Sequence, residues 1–87
     1  MSESTSLITG TVVDADGGAI SGATVAIVSG TQPFPEIAAV TAADGTFQLG
    51  GLRPGTYVLR ARRGDADGMF QVEAVAGEPT AVVIAIG

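Results

Sequence analysis

The tetrad Asp14-Ala15-Asp16-Gly17 recurs as Asp65-Ala66-Asp67-Gly68, and a variant, Ala42-Ala43-Asp44-Gly45, lies between them. Acids beside glycine can ligate calcium, or they can simply reverse the chain. An EF-hand loop places oxygen ligands at alternate positions, a glycine at the sixth and a glutamate at the twelfth. Counted from Asp14, the fifth residue is Gly18 and the twelfth is Val25; counted from Asp65, the twelfth is Ala76. Neither loop meets the requirement. A looser site would gather Asp14, Asp16, Asp44 and Asp67 at one end of the fold. The preferred reading is turns, in which Asp side chains accept hydrogen bonds from nearby backbone N–H groups. No metal and no cofactor is expected.

Other site chemistry is limited by residues the chain lacks. It has no His and no Cys, which excludes Ser–His and Cys–His nucleophiles and the usual zinc ligands. It has neither Lys nor Asn, so no Lys–Asn isopeptide crosslink can form. A paired-carboxylate glycosidase would need acids projecting into a cleft, and these fall in turns. No catalytic residue is assigned and no enzymatic activity is expected. The four basic residues are Arg53, Arg60, Arg62 and Arg63, and the net charge is −5. That balance argues against a nucleic-acid partner, which needs a broad cationic surface. No apolar run approaches the roughly 20 residues of a membrane-spanning helix, so no membrane insertion is expected. The N-terminal residues carry no basic segment followed by an apolar one. With Met1 as the native start, this predicts a cytoplasmic protein or one exported as part of an assembly.

Glycine and proline punctuate stretches rich in Val, Ile and Thr, the pattern of many short strands. Seven are predicted: Leu7–Asp14, Ala23–Ser29, Ile37–Thr41, Thr46–Leu49, Thr56–Arg62, Met69–Val75 and Thr80–Ile86. Pro54 and Gly55 predict a type II reversal before the fifth, with positive φ at Gly55. The fifth alternates most cleanly, with Tyr57, Leu59 and Ala61 on one face and Val58, Arg60 and Arg62 on the other. The expected fold is all-β: one domain over residues 1–87, with residues 1–6 a flexible tail. Its architecture is a seven-stranded antiparallel Greek-key sandwich of two sheets. The expected core is Ile8, Val12, Val25, Ile27, Val40, Phe47, Leu49, Leu52, Tyr57, Leu59, Phe70, Val72, Val82 and Ile84.

The residues Gly10, Val12, Asp14, Ile20–Val25 (ISGATV), Asp44–Phe47 (DGTF) and Gly51–Tyr57 (GLRPGTY) carry a resemblance. Their order resembles the carboxypeptidase regulatory-like domain family from about Ile8 to Ala61. Ile20 stands where that family usually has Pro. The resemblance implies a transthyretin-like (prealbumin-like) sandwich and a non-catalytic accessory role. Hydroxyisourate hydrolases of the same fold use site histidines that this chain lacks. In this pattern Tyr57 is expected to cap the core while its hydroxyl finds a backbone partner.

Three surface features are candidates for binding a partner. Arg60, Arg62 and Arg63 form a basic patch that either docks an acidic partner or pairs with nearby acids. Phe34, between Pro33 and Pro35, either anchors a partner or folds back over the sandwich edge. The last strand is apolar on both faces and carries no charge to guard it, which points Val83 and Ala85 toward a protein partner or a second copy. Together these features predict a protein-interaction or structural accessory module docking onto a larger bacterial assembly, such as a phage-tail-like or secretion apparatus. The alternative is a carbohydrate- or small-ligand-binding sandwich, with or without calcium assistance.

Overall fold

The structure, a computed structural model, describes residues 6–34 and 38–87. All seven predicted strands form: β1 (Ser6–Val13), β2 (Thr24–Gly30), β3 (Ala38–Val40), β4 (Thr46–Leu52), β5 (Gly55–Arg63), β6 (Ala66–Ala74) and β7 (Pro79–Ala85). Ser6, expected in a flexible tail, already belongs to β1; its buried hydroxyl donates to the Leu52 carbonyl at 3.2 Å. The rest of that tail, and Ile37 of the third predicted strand, lie outside the described residues.

The strands build two sheets, ordered β4-β1-β7 and β3-β2-β5-β6. The all-antiparallel arrangement expected does not hold, because β7 pairs with β1 in parallel. The turn after β6 carries the chain from the edge of one sheet to the edge of the other. There β7 meets the free side of β1 running in the same direction. Period-two alternation specifies which face a side chain takes and contains nothing about strand direction.

The inner faces meet in a core that includes Ile8, Val12, Val25, Leu49, Leu52, Tyr57, Leu59 and Ile84, each at most 2% exposed. Two expected core residues are not buried. Val40 is 66% exposed, because Ala39 stands opposite Val25 and takes the inward position of the short β3. Phe70 has the inward parity of Val72, yet it is 40% exposed on an edge strand that only β5 flanks. Ile86, beyond the end of β7, is buried and was not expected in the core.

Glycines shape both sheets. On Gly10, a Cβ would lie 2.5 Å from the Phe47 ring and 2.8 Å from Val82. The Gly50–Gly51 step adds one residue to β4 relative to β1, so that Leu49 and Leu52 both face inward. Gly51 has φ +73°, whereas Gly55 does not take the positive φ expected of it. What requires glycine at position 55 is space: a Cβ there would lie 2.7 Å from Thr31 Oγ1.

Two buried hydroxyls fix the connections. Tyr57, fully buried, donates to the Arg53 carbonyl at 2.5 Å, as the sequence suggested. Thr41, 5% exposed, accepts from the Ala23 N–H at 2.9 Å and donates to the Ile20 carbonyl at 2.6 Å. It thereby ties the end of β3 to the entry of β2.

Gly10→Val should destabilise the fold by about 1–3 kcal/mol through overpacking against Phe47 and Val82, read as a lower urea midpoint at unchanged slope. Thr41→Val keeps the shape but strands two backbone groups. It should cost about 1–3 kcal/mol in the same assay.

Candidate functional site

The repeated acid motifs resolve into two kinds of local structure: Asp14–Gly18 and Ala42–Thr46 close with the same pair of backbone hydrogen bonds and differ in where the acid stands, and the third copy departs from both. At the first, Asp14 Oδ1 accepts from the N–H groups of Asp16 and Gly18, both at 2.9 Å. Gly17, at φ +87°, donates to the Asp14 carbonyl. Asp16 belongs to the same exposed turn. At the second, Asp44 Oδ1 accepts from the Thr46 hydroxyl at 2.6 Å and the Thr46 N–H at 3.1 Å. Those two bonds, the hydroxyl's first, hold its carboxyl below the ordinary range.

The third copy is not a turn of the same kind. The reversal is Gly64-Asp65, with Arg63 paired to Ala66 and Gly64 at φ +59°. That is the two-residue hairpin with positive φ first. β6 therefore starts three residues earlier than predicted, and Asp67 is a strand residue. Its carboxylate receives the Arg60 Nε–H at 3.0 Å and also pairs with Arg60 Nη2. The Arg60 hydrogen bonds lower the Asp67 pKa and raise that of Arg60. Among the described residues, no three acids converge as a metal site. Asp14, Asp16, Asp44 and Asp67 are thus distributed over two turns and a strand.

The basic patch is likewise divided. Arg60 is paired with Asp67, and Arg63 donates to the Ser21 carbonyl at 2.6 Å. Arg62 stands on the outer face of β5, opposite Thr24 and Asp67, and is exposed. Phe34 is half-buried and packs edge-on against Tyr57, with ring centroids 6.3 Å apart at 84°. Its ring faces the sandwich edge.

Val83 is 62% exposed and Ala85 is exposed beside it, both on the outer face of β4-β1-β7. The register assembles that face in rows: Gln48, Thr9 and Ala81 in one, Thr46, Thr11 and Val83 in the next. Leu7 opposite Pro79 and Val13 opposite Ala85 close its two ends along β1 and β7. Among the described residues, no charged side chain stands on this face. An open groove of about 760 Å³ runs over it, with Ala39 and Val40 of β3 at one side. The sequence pointed to β7 alone. The contribution of Thr9, Thr11, Thr46 and Gln48 depends on strand order, which only the structure supplies.

The fold can be set beside known proteins. The family model for the carboxypeptidase regulatory-like domain matches residues 7–87. The chain belongs to the carboxypeptidase regulatory-like domain family. Its transthyretin-like sandwich recurs in solved structures of low identity. The Bacillus anthracis TIE protein matches with TM-score 0.76 and 16% identity, over 97% of this chain and 16% of that one. Chlorocatechol 1,2-dioxygenase from Pseudomonas putida matches with TM-score 0.70 and 12% identity, over 95% of this chain and 60% of that one. BcpA, the major pilin subunit of Bacillus cereus, matches with TM-score 0.63 and 15% identity, over 94% of this chain and 28% of that one. In each case this domain spans less than two thirds of the other protein. Among curated proteins, none matches the chain.

Asp44 and Asp67 have folded-state pKa values below their unfolded ones. Their contribution to stability is therefore complete above the unfolded value of about 3.9, and disappears as pH falls through the folded values. Melting temperature should drop on acidification below about pH 4, and the drop should be shallower in the Asp44→Asn, Asp67→Asn double variant.

Proposed function

We propose that this domain is a non-catalytic interaction module that docks a protein partner on the outer face of β4-β1-β7. The observation that carries the reading is the absence of charge on that face, among the described residues, in a chain of net charge −5. The described charges sit in turns or on β5 and β6. Exposed sheet faces and edges are ordinarily guarded by charge, whereas interface centres are depleted of it. Val83, with threonines around it, provides an apolar centre and a hydrogen-bonding surround.

The site chemistry supports the same reading. Asp14, Asp44 and Asp67 are occupied by backbone N–H groups, a threonine and an arginine, and no histidine or cysteine exists to act as nucleophile or base. A larger bacterial assembly, phage-tail-like or secretory, is the setting proposed for the partner. The fold's occurrence in a major pilin subunit is in keeping with an assembled structure. The carbohydrate-binding alternative needs aromatic platforms. Phe47 and Tyr57 are buried and Phe34 lies against Tyr57, leaving Phe70 as the exposed aromatic among the described residues.

The test is affinity capture from the native host with the mass of the complex measured in solution, for the native chain and for Val83→Glu. A stoichiometric protein partner should be held by the native chain and lost by the variant. The variant's stability should change by no more than about 0.5 kcal/mol, as for a surface substitution. A partnerless monomer, or a variant that keeps its partner, would overturn the proposal. A dimer of the native chain disrupted by Val83→Glu would identify the partner as a second copy.

A further inference from the structure

The parallel ladder between β1 and β7 is the most regular pairing that β1 makes. It runs without a shift through seven consecutive pairs, from Leu7 opposite Pro79 to Val13 opposite Ala85. The Ile86 N–H, donating to the Val13 carbonyl at 2.9 Å, extends it by one more bond. The β1–β4 pairing, by contrast, is interrupted by a bulge.

Direction gives this ladder a mechanical character. The chain enters β1 at Ser6 and leaves β7 at Ala85. Because the two strands are parallel, entry and exit lie at opposite ends of the ladder, about 20 Å apart at the usual rise per residue. Tension applied through the entering and leaving chain pulls β1 and β7 past each other along their own axes. Every bond of the ladder is then loaded at once. An antiparallel pair of terminal strands would have both ends on one side, and its bonds would open singly.

Side chains oppose the same movement. Ile8 and Val12 of β1 face inward with Val82 and Ile84 of β7, all buried. A slip of one residue would turn the apolar set of the sliding strand toward solvent. The load passes directly from the first strand to the last, so β2 through β6 stand outside its path.

We infer that the β1–β7 pair is a clamp through which the domain transmits tension between the chain entering it and the chain leaving it. This inference is independent of the docking proposal, since it rests on ladder geometry and not on the outer face.

Single-molecule pulling in two directions tests it. In the first, handles are attached at the two ends of the full chain. In the second, one handle is at the N-terminal end and the other at a cysteine introduced by Glu78→Cys, in the exposed turn before β7 of a chain that has no other cysteine. The second direction pulls the ladder apart from the Leu7–Pro79 end, one pair at a time. An unchanged melting temperature establishes that the variant is folded. End-to-end pulling should rupture the domain in one step at a force several-fold higher than the second direction requires. Equal forces, or a weaker end-to-end direction, would overturn the inference.

Discussion

The first sheet depends on β1 lying between β4 and β7, which hydrogen-bond to β1 and not to each other. That position works because Gly10 has no side chain. Its cross-strand partner is Phe47, whose ring occupies the space a Cβ would take. The second sheet repeats the device. Gly30 stands opposite Tyr57, and a Cβ on Gly30 would lie 2.5 Å from that ring. Each sheet thus sets one large aromatic over a bare stretch of its neighbour's backbone. The ring covers hydrogen bonds that glycine alone would leave open, and it fills the core with few large side chains.

Around this frame the two outer faces have diverged. The β3-β2-β5-β6 face carries Arg60, Arg62, Asp67 and Glu73, with the arginine–aspartate pair spanning β5 and β6. The opposite face carries threonine, glutamine, valine and alanine. The tight turns use acids differently again, as acceptors for the N–H groups that a reversal leaves unpaired. The same Asp-Gly chemistry therefore serves geometry at the tips, pairing on one face, and nothing on the other.

Much of this was legible in the residues themselves. Alternation at Tyr57–Arg62 fixed both the strand and its buried face, and the motif order from Ile8 to Ala61 indicated the family. The failures share a cause. Val40 is apolar and Phe70 shares the parity of Val72, but burial follows cross-strand register and edge position, which are non-local. The second Asp-Ala-Asp-Gly looks like the first, yet its reversal falls at Gly64-Asp65 because Arg63 pairs with Ala66. Thr41 gave no signal, since a threonine ending a strand is ordinary until its hydroxyl is seen between Ala23 and Ile20. The direction of β7 was illegible for the reason that strand alternation has no polarity.

That direction has a consequence in time. The strand at the centre of the first sheet is the earliest in the chain, and the neighbour that completes it is the last. Closing so distant a contact is entropically slow, and parallel pairing slows it further. Until β7 arrives, β1 presents a row of unsatisfied donors and acceptors to whatever is nearby. The β7 of another molecule offers the same sequence and the same register, so folding at high concentration competes with strand exchange between copies. Dilution, which leaves the finished domain unchanged, favours the chain that closes on itself.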